Sequence, residues 1–159
     1  MVTLNFGLED FKVKAENYNG ADEKSQYGHY VNIFTNIGGY LSMAIFEDLR
    51  IGNLIEFDRT TFNYDFNQNK EILLSDIFED GVDISNVIKS YIKENMKFPL
   101  TEEILEIGVV EAVNANNFYF DEYGVVVYFS PEGLKWDDYQ KWVYVPFELF
   151  GVENIKLFN

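Results

Sequence analysis

The stretch Thr61–Phe78, TFNYDFNQNKEILLSDIF, contains the strongest local pattern in this chain. Aromatic and polar residues alternate at its start, Phe62, Tyr64 and Phe66 against Asn63 and Asp65. Such alternation predicts a strand with one buried face. The segment Asn67–Lys70 is a predicted turn, in which Asn69 is the residue best able, after glycine, to adopt a positive φ. The sequence therefore predicts a strand, a tight turn, a second strand and then a helix start at Ser75-Asp76.

The residues before this stretch, 1–59, have a mainly β pattern. Two alternating runs are separated by Gly38-Gly39, which predicts a turn. The first run places Val31, Ile33, Thr35 and Ile37 on one face, and the second places Leu41, Met43 and Ile45 on one face. An earlier run from Phe11 to Ala15 alternates in the same way, and a long strand is predicted from about Leu54 to Phe66.

Two helices are predicted after the stretch. Asp83 is a candidate N-cap for the main helix, over about residues 83–97, and Pro99 would end it. Thr101 would cap a short second helix over about residues 101–107, with acidic residues in its first turn where the helix dipole favours negative charge. The apolar stripe of the main helix consists of Ile84, Val87, Ile88, Tyr91 and Ile92.

The last third of the chain returns to a β pattern. Phe118–Phe120 and Val125–Phe129 flank a glycine-containing turn and predict a hairpin, and the continuous apolar run of its second strand predicts that both faces of that strand are covered. Trp142–Val145 is a further strand that Pro146 ends. Strands, then helices, then strands predict an α+β fold, an antiparallel sheet with both helices packed on it, in a single domain over residues 1–159.

Composition limits the classes of function. The chain has 27 acidic and 12 basic residues and a net charge of −15, which favours solubility, repels nucleic acid and anionic membranes, and attracts cations or a basic protein. It has no cysteine and one histidine, which excludes thiol catalysis, disulfides and multi-histidine metal sites. No run approaches ~18 consecutive apolar residues, so no membrane insertion is predicted. No cofactor is predicted.

Three segments, in order along the chain, carry a family resemblance. The first segment resembles NFDLKTGKEITLSDLF and consists of Asn63–Phe66, Lys70–Ile72 and Leu74–Phe78. The second resembles FYLTDEGLVIYFNPYE and consists of Phe118–Phe120, Gly124 and Val127–Pro131. The third, Val143–Leu149, resembles VKIPYSEL. These are signatures of a bacterial domain of unknown function. The domain forms the C-terminal ectodomain of the anti-sigma-V factor RsiV, a lysozyme sensor, and also occurs beside a peptidoglycan deacetylase domain.

The resemblance covers residues 60–150 and implies a binding or sensing domain outside the cytoplasm. Lysozyme-like basic proteins and cell-wall components are the partners that it implies. The chain has no basic start followed by an apolar run, so a cytoplasmic location is expected if Met1 is the native start, and otherwise an export signal or anchor would have been removed. Where the family has a turn glycine the chain has Asn69, and the family loop after its FNP element is replaced by residues 132–140.

An aromatic and acidic cluster in this replaced loop is the candidate binding site. Trp and Tyr are the usual anchors of interfaces, and acidic neighbours would favour a basic partner or a sugar. The alternative is that Trp142 and one tyrosine pack in the core. The candidate binding residues are Trp136, Asp137, Asp138, Tyr139 and Trp142.

Two acidic groups are candidate sites, and each also has a structural explanation. The first, Asp76, Glu79, Asp80 and Asp83, is either a cation site or a set of capping residues. The second, Glu102, Glu103, Glu106 and Glu111, is either a pair of catalytic carboxylates or a solvated helix face. His29 lacks the partners of a catalytic histidine and is expected at a strand edge. No catalytic residue and no metal ligand is predicted.

Three functions remain open from the sequence. The first is a non-enzymatic binding module for a basic protein or a cell-wall component. The second is an enzyme that hydrolyses a cell-wall polymer with carboxylates alone. The third is an acidic cytoplasmic immunity protein or mimic, which requires Met1 to be the native start. The sequence does not predict an oligomeric state.

Overall fold

The computed structural model of the protein describes residues 25–51, 54–96, 101–129 and 141–158. Its strands are β1 (Ser25–Ile37), β2 (Tyr40–Ile51), β3 (Leu54–Asp65), β4 (Lys70–Glu71), β5 (Phe118–Phe120), β6 (Gly124–Phe129) and β7 (Lys141–Pro146). Its α-helices are α1 (Ile84–Asn95) and α2 (Glu102–Asn114). Short 3₁₀ helices cover Leu74–Ile77, Phe147–Phe150, Val152–Asn154 and Lys156–Phe158.

The strands form two antiparallel sheets, and the predicted α+β class is confirmed. Sheet 1 has the order β1-β2-β3-β4 and sheet 2 has the order β5-β6-β7. In sheet 2, Tyr119 is paired with Val126, and Val126 is in turn paired with Tyr144. All six residues of β6 are buried, which confirms the prediction that this strand is covered on both faces.

The hydrophobic core lies between one face of sheet 2 and the two helices. Ile88 and Ile92 of α1, with Leu105 and Val109 of α2, are buried in it. The sheet contributes Phe118, Phe120, Val125, Val127, Phe129, Val143 and Val145, and the segments around it contribute Ile72, Leu74, Ile77, Phe78, Phe147, Phe150 and Ile155.

Both predicted helix caps are present. The Asp83 side chain accepts a hydrogen bond from the Asn86 N–H, and the Thr101 hydroxyl accepts one from the Ile104 N–H. The second helix, however, is longer than the predicted 101–107, because it continues through Gly108 to Asn114. Gly108 lies on the buried stripe, so packing against the core outweighs the roughly 1 kcal/mol that a glycine costs inside a helix.

The predicted turn after β3 is confirmed in detail. Asn69 has a φ of 53°, in the left-handed region. The Asp65 carboxylate closes the turn, because its Oδ1 accepts hydrogen bonds from the backbone N–H groups of Asn67 (2.8 Å) and Gln68 (3.1 Å). The predicted turn at Gly38-Gly39 is also present, with both glycines at positive φ.

The buried face of β3 is not the aromatic one. Asn63 and Asp65 are 3% and 2% exposed, whereas Phe66 is 58% exposed. The preceding strands also differ from a simple alternation. In β1, Thr35 is buried although Ile33 and Ile37, on the same predicted face, are exposed. In β2, Ser42 and Ala44 are fully buried while Leu41 and Met43 are only partly buried, and of that predicted face Ile45 is buried.

These buried polar side chains face inward because they hydrogen-bond to the outer edge of β5. Thr35 donates to the Phe120 carbonyl oxygen (2.9 Å), and Ser42 accepts from the Phe120 N–H (2.9 Å). Asn63 donates to the Phe118 carbonyl oxygen (2.7 Å) and accepts from the Ser42 hydroxyl (2.7 Å). Three side chains thus bond the edge of β5 as a neighbouring strand would, and satisfied hydrogen bonds offset the cost of burying them.

The described residues fall into two compact units. The first holds those up to Val31 and those of Ile45–Arg59, and the second holds Asn32–Ala44 and the residues from Thr60 onward. In the first unit, Tyr30 stacks on Phe46 with ring centroids 4.9 Å apart, and Arg59 lies over the same Phe46 ring. The second unit contains the core described above.

Several sequence predictions concern other parts of the chain. The run from Phe11 to Ala15, the helix stop at Pro99 and the final residues of the second resembling segment, Ser130 and Pro131, lie outside the described residues. In the described residues, no helix is both long and apolar enough to cross a membrane.

Candidate functional site

Alternation along β7 gives sheet 2 two different faces. Val143 and Val145 point into the core, so Trp142 and Tyr144 point to the opposite face. Because residues directly opposite in an antiparallel pair share a face, Tyr128 lies beside Trp142 and Tyr119 lies in the row of Tyr144. We call Tyr119, Tyr128, Trp142 and Tyr144 the aromatic face.

The aromatic face is packed at one side and open at the other. Phe34 of β1 stacks on Tyr119 with ring centroids 3.6 Å apart, and Tyr119 and Tyr128 lie 5.9 Å apart. Tyr128 is only 3% exposed, whereas Trp142, its direct partner across the strands, is 51% exposed. Trp142 is therefore an exposed aromatic side chain held on a rigid sheet beside packed tyrosines.

Tyr144 contacts the β5–β6 turn. Its hydroxyl donates to Asp121 Oδ1 (3.3 Å), an oxygen that also accepts from the backbone N–H groups of Tyr123 (2.7 Å) and Gly124 (2.9 Å). Burial and the nearby Asp121 carboxylate raise the pKa of Tyr144 to about 12. The tyrosine is therefore neutral over the physiological range, and it holds the turn against β7.

A groove of about 440 Å³ lies at the end of β7. Tyr144 and Pro146 form the part of its wall that belongs to the strand, and Glu122 and Glu148 give it negative charge. The remaining lining residues are Tyr123, Phe147, Val152 and Ile155. The groove is therefore apolar with an acidic rim, which suits a cationic side chain with an aliphatic stem.

The candidate binding residues are only partly placed. Trp142 lies on the aromatic face and outside the core, in agreement with the exposed-patch interpretation. The other four lie outside the described residues, between β6 and β7 in the sequence, so their role stays a prediction; they are Trp136, Asp137, Asp138 and Tyr139. Sequence reasoning missed Tyr119, Tyr144 and the groove, although the alternation Trp142-Val143-Tyr144-Val145 already indicated a second, aromatic face.

A separate polar hollow of about 220 Å³ lies beside the turn after β3. Asp65, Lys70 and Asp76 line it, together with Lys156 from the C-terminal segment. Both lysines already have acidic partners, since Lys70 lies 3.5 Å from Asp76 and Lys156 lies 2.8 Å from Asp80. Of its charged lining groups, Lys70 and Asp76 therefore pair with each other, and Lys156 pairs with Asp80 outside the lining.

The first acidic group consists of residues with separate structural roles. Asp76 accepts from the Leu73 N–H (3.0 Å), Asp83 caps α1, and Asp80 pairs with Lys156, which lowers the pKa of the Asp80 carboxyl. These contacts favour the capping interpretation over a cation site. In the described part of the chain, no group of three or more His, Asp or Glu side chains could hold a metal ion.

Two residues of the second acidic group, Glu102 and Glu106, contact the main helix. Glu106 accepts from Lys89 (2.8 Å), and Glu102 pairs with Lys93, which lowers the pKa of Glu102. These exposed ion pairs join α1 to α2 and agree with the solvated-face interpretation. His29 lies in β1, the first strand of its sheet among the described residues, and is exposed; its place at a strand edge stays a prediction.

Two solved structures with a similar fold are DUF3298 family proteins. A DUF3298 family member from Bacteroides fragilis NCTC 9343 matches with a TM-score of 0.56 and 19% identity, over 93% of this chain and 61% of that one. A DUF3298 family protein from Pseudomonas aeruginosa PAO1 matches with a TM-score of 0.50 and 12% identity, over 83% of this chain and 62% of that one.

The protein therefore has the fold of DUF3298 family proteins, a class of uncharacterised domains, and spans about three fifths of the length of these two neighbours. At these identities the likeness is one of fold. No protein-family model and no curated protein matches the sequence.

Proposed function

We propose that the protein is a non-enzymatic binding domain whose aromatic face, centred on Trp142, recognises a basic protein or a cell-wall component. The observation that carries the proposal is the half-exposed Trp142 beside the buried Tyr128 on the aromatic face of sheet 2. Exposure of a large aromatic side chain to water is unfavourable, and such side chains are enriched at interfaces.

The setting of Trp142 favours an anchoring role. β7 is hydrogen-bonded to β6 along its length, so the backbone that carries Trp142 is already ordered before binding. A tryptophan has only two side-chain torsions to immobilise, so it supplies a large contact area at a low cost in conformational entropy.

Charge favours a basic partner. The chain carries a net charge of −15, and Asp121, Glu122 and Glu148 lie at the end of sheet 2 where Tyr144 is located. Such a field raises the association rate of a cationic partner and weakens as salt is added. The resemblance of residues 60–150 adds lysozyme-like proteins as the specific partner class and a location outside the cytoplasm.

The position of the replaced loop supports its inclusion in the binding surface. Residues 130–140 join Phe129 of β6 to Lys141 of β7, the residue before Trp142. We therefore include Trp136, Asp137, Asp138 and Tyr139 in the proposed surface. The carboxylate-enzyme alternative needs two acids that converge in a cleft. Glu122 and Glu148 line one groove, but both are exposed residues, and Asp83, Glu102 and Glu106 act in a cap and in exposed ion pairs.

Calorimetric titration with hen egg-white lysozyme tests this proposal. We expect binding that persists at physiological salt, is weakened by Trp142→Ala by at least ~10-fold, and is unchanged by Phe66→Ala. Phe66 is the matched control because it is a similarly exposed aromatic residue, in the turn that follows β3. Absence of binding, or binding that disappears entirely at physiological salt, would reject lysozyme as the partner class, and equal effects of the two substitutions would reject the aromatic face.

A further inference from the structure

The outer edge of β7 presents backbone groups that β6 does not use. The Phe147 N–H donates to a carbonyl oxygen of the β5–β6 turn (2.8 Å). This bond shows which of the residue pairs of β6 and β7 exchange backbone hydrogen bonds. In an antiparallel pair, residues that exchange hydrogen bonds alternate with residues that do not, so Val143 and Val145 bond to β6. The N–H and C=O groups of Trp142 and Tyr144 therefore point away from β6.

This edge differs from the opposite edge of the same sheet. The outer groups of β5 are bonded by Thr35, Ser42 and Asn63. In the described part of the chain, by contrast, no group donates to or accepts from the backbone of Trp142 or Tyr144. An open strand edge of this kind is a template for pairing with another extended chain.

The acidic groove continues from this edge. Tyr144 and Pro146 belong to β7 and also line the groove, so a chain that runs along the strand reaches Glu122 and Glu148 at its end. The proline has no N–H, which limits backbone pairing to the part of the strand before it. Edge and groove together offer hydrogen bonds to a backbone and a charged site for one side chain.

We propose that the edge of β7 binds an extended basic peptide segment of a partner protein as an added strand. Its backbone pairs with Trp142 and Tyr144, and a lysine or arginine side chain enters the groove between Glu122 and Glu148. This inference rests on the proposed function and specifies its mode of binding. Main-chain hydrogen bonds supply affinity in such complexes, and the side-chain site supplies specificity.

The net charge of the protein favours a basic segment over a second copy of the same chain as the binding partner of the β7 edge. Two copies that paired through β7 would bring together two molecules with a net charge of −15 each. Like charges placed across an interface oppose association. A basic segment removes this repulsion and neutralises the glutamates.

The test uses three capped hexapeptides with isotope-labelled full-length protein. The first alternates lysine with threonine, the second is the same peptide N-methylated at alternate residues, and the third carries glutamate in place of lysine. We expect the Trp142 and Tyr144 amides to exchange rapidly in the free protein and at least ~10-fold more slowly with the first peptide. The second peptide, which keeps its charge and loses backbone donors, and the third should give no protection.

Charge variants test the groove. Glu148→Gln should lower the affinity for the lysine peptide about 3- to 10-fold at low salt. Glu94→Gln, the same change at an exposed position of α1, should leave the affinity unchanged. Equal protection by the N-methylated peptide, no binding of the lysine peptide, or a dimer that protects both amides without peptide would overturn the strand-addition mode. Lysozyme binding that depends on Trp142 would still support the proposed function in each of these cases, and its absence would reject both.

Discussion

The side-chain amide of Asn63 donates a hydrogen bond to the backbone carbonyl oxygen of Phe118, 2.7 Å away, although the two residues lie in different sheets. Together with Thr35 and Ser42, Asn63 supplies hydrogen bonds to the edge of β5 that a neighbouring strand would otherwise supply. The contact explains why an asparagine occupies a buried position near the start of the stretch Thr61–Phe78.

Asn63→Ala should destabilise the protein by about 1–3 kcal/mol. The substitution leaves the buried Phe118 carbonyl oxygen without its donor and the Ser42 hydroxyl without its acceptor. Chemical denaturation followed by circular dichroism measures the change. Gln68→Ala, at an exposed position of the following turn, is the control and should stay within about 0.5 kcal/mol of the parent. Similar values for the two variants would contradict the role given to Asn63.

Two asparagines with left-handed backbone should respond differently to glycine. Asn69 and Asn116 have φ values of 53° and 54°. Asn116 accepts from the Leu74 N–H (2.7 Å) and donates to the Ile72 carbonyl oxygen (3.4 Å). Among the described residues, the Asn69 side chain accepts only from the Tyr64 hydroxyl. Asn69→Gly should therefore change the free energy of unfolding by less than about 0.5 kcal/mol, and Asn116→Gly should lower it by about 1–3 kcal/mol. Equal losses would show that backbone conformation alone selects these residues.

Gly124→Ala should destabilise the hairpin of sheet 2. A Cβ at this position would lie 2.6 Å from the Val145 carbonyl oxygen and 2.7 Å from the Tyr144 ring, and the backbone contact cannot move without disturbing the β6–β7 ladder. We expect a loss of about 1–3 kcal/mol in thermal or chemical denaturation. Gly28→Ala is the control, because an added Cβ there meets nothing within 4 Å, and it should be neutral.

Stability at alkaline pH should depend on Tyr144. Its pKa is raised from 10.0 to about 12 by burial and by Asp121, so folding favours the neutral phenol. The contribution is fully present below pH 10 and is lost as the pH rises through about 12. The free energy of unfolding of the parent should therefore fall more steeply across this interval than that of Tyr144→Phe. Tyr123→Phe, at a 72% exposed position, should follow the parent curve, and superimposable curves for all three proteins would contradict the assignment.

Local patterns in the sequence predicted most of the elements. The caps at Asp83 and Thr101, the turn at Asn69 and the central strand β6 all follow from rules that act over a few residues. The end of α2 does not follow from such rules, because packing of the buried helix face around Gly108 extends the helix beyond what local propensity indicates.

Such local rules do not predict which face of β3 is buried. Alternation shows that Asn63 and Phe62 lie on opposite faces, but the buried face is set by the edge of β5, a partner 55 residues away in the chain. The same limit applies to the candidate site. Trp142 was identified as an interface residue from its type, whereas Tyr119 and Tyr144 join it through strand register.

The most direct test of the central claim, that the aromatic face is the binding surface, is ¹⁹F NMR of protein labelled with 5-fluorotryptophan. The chain has two tryptophans, so Trp136→Phe assigns the Trp142 resonance. The account predicts that unlabelled hen egg-white lysozyme, added at physiological salt, shifts the Trp142 resonance in a saturable manner and shifts that of Trp136 as well. Calorimetric binding with an unchanged Trp142 resonance at saturation would contradict it.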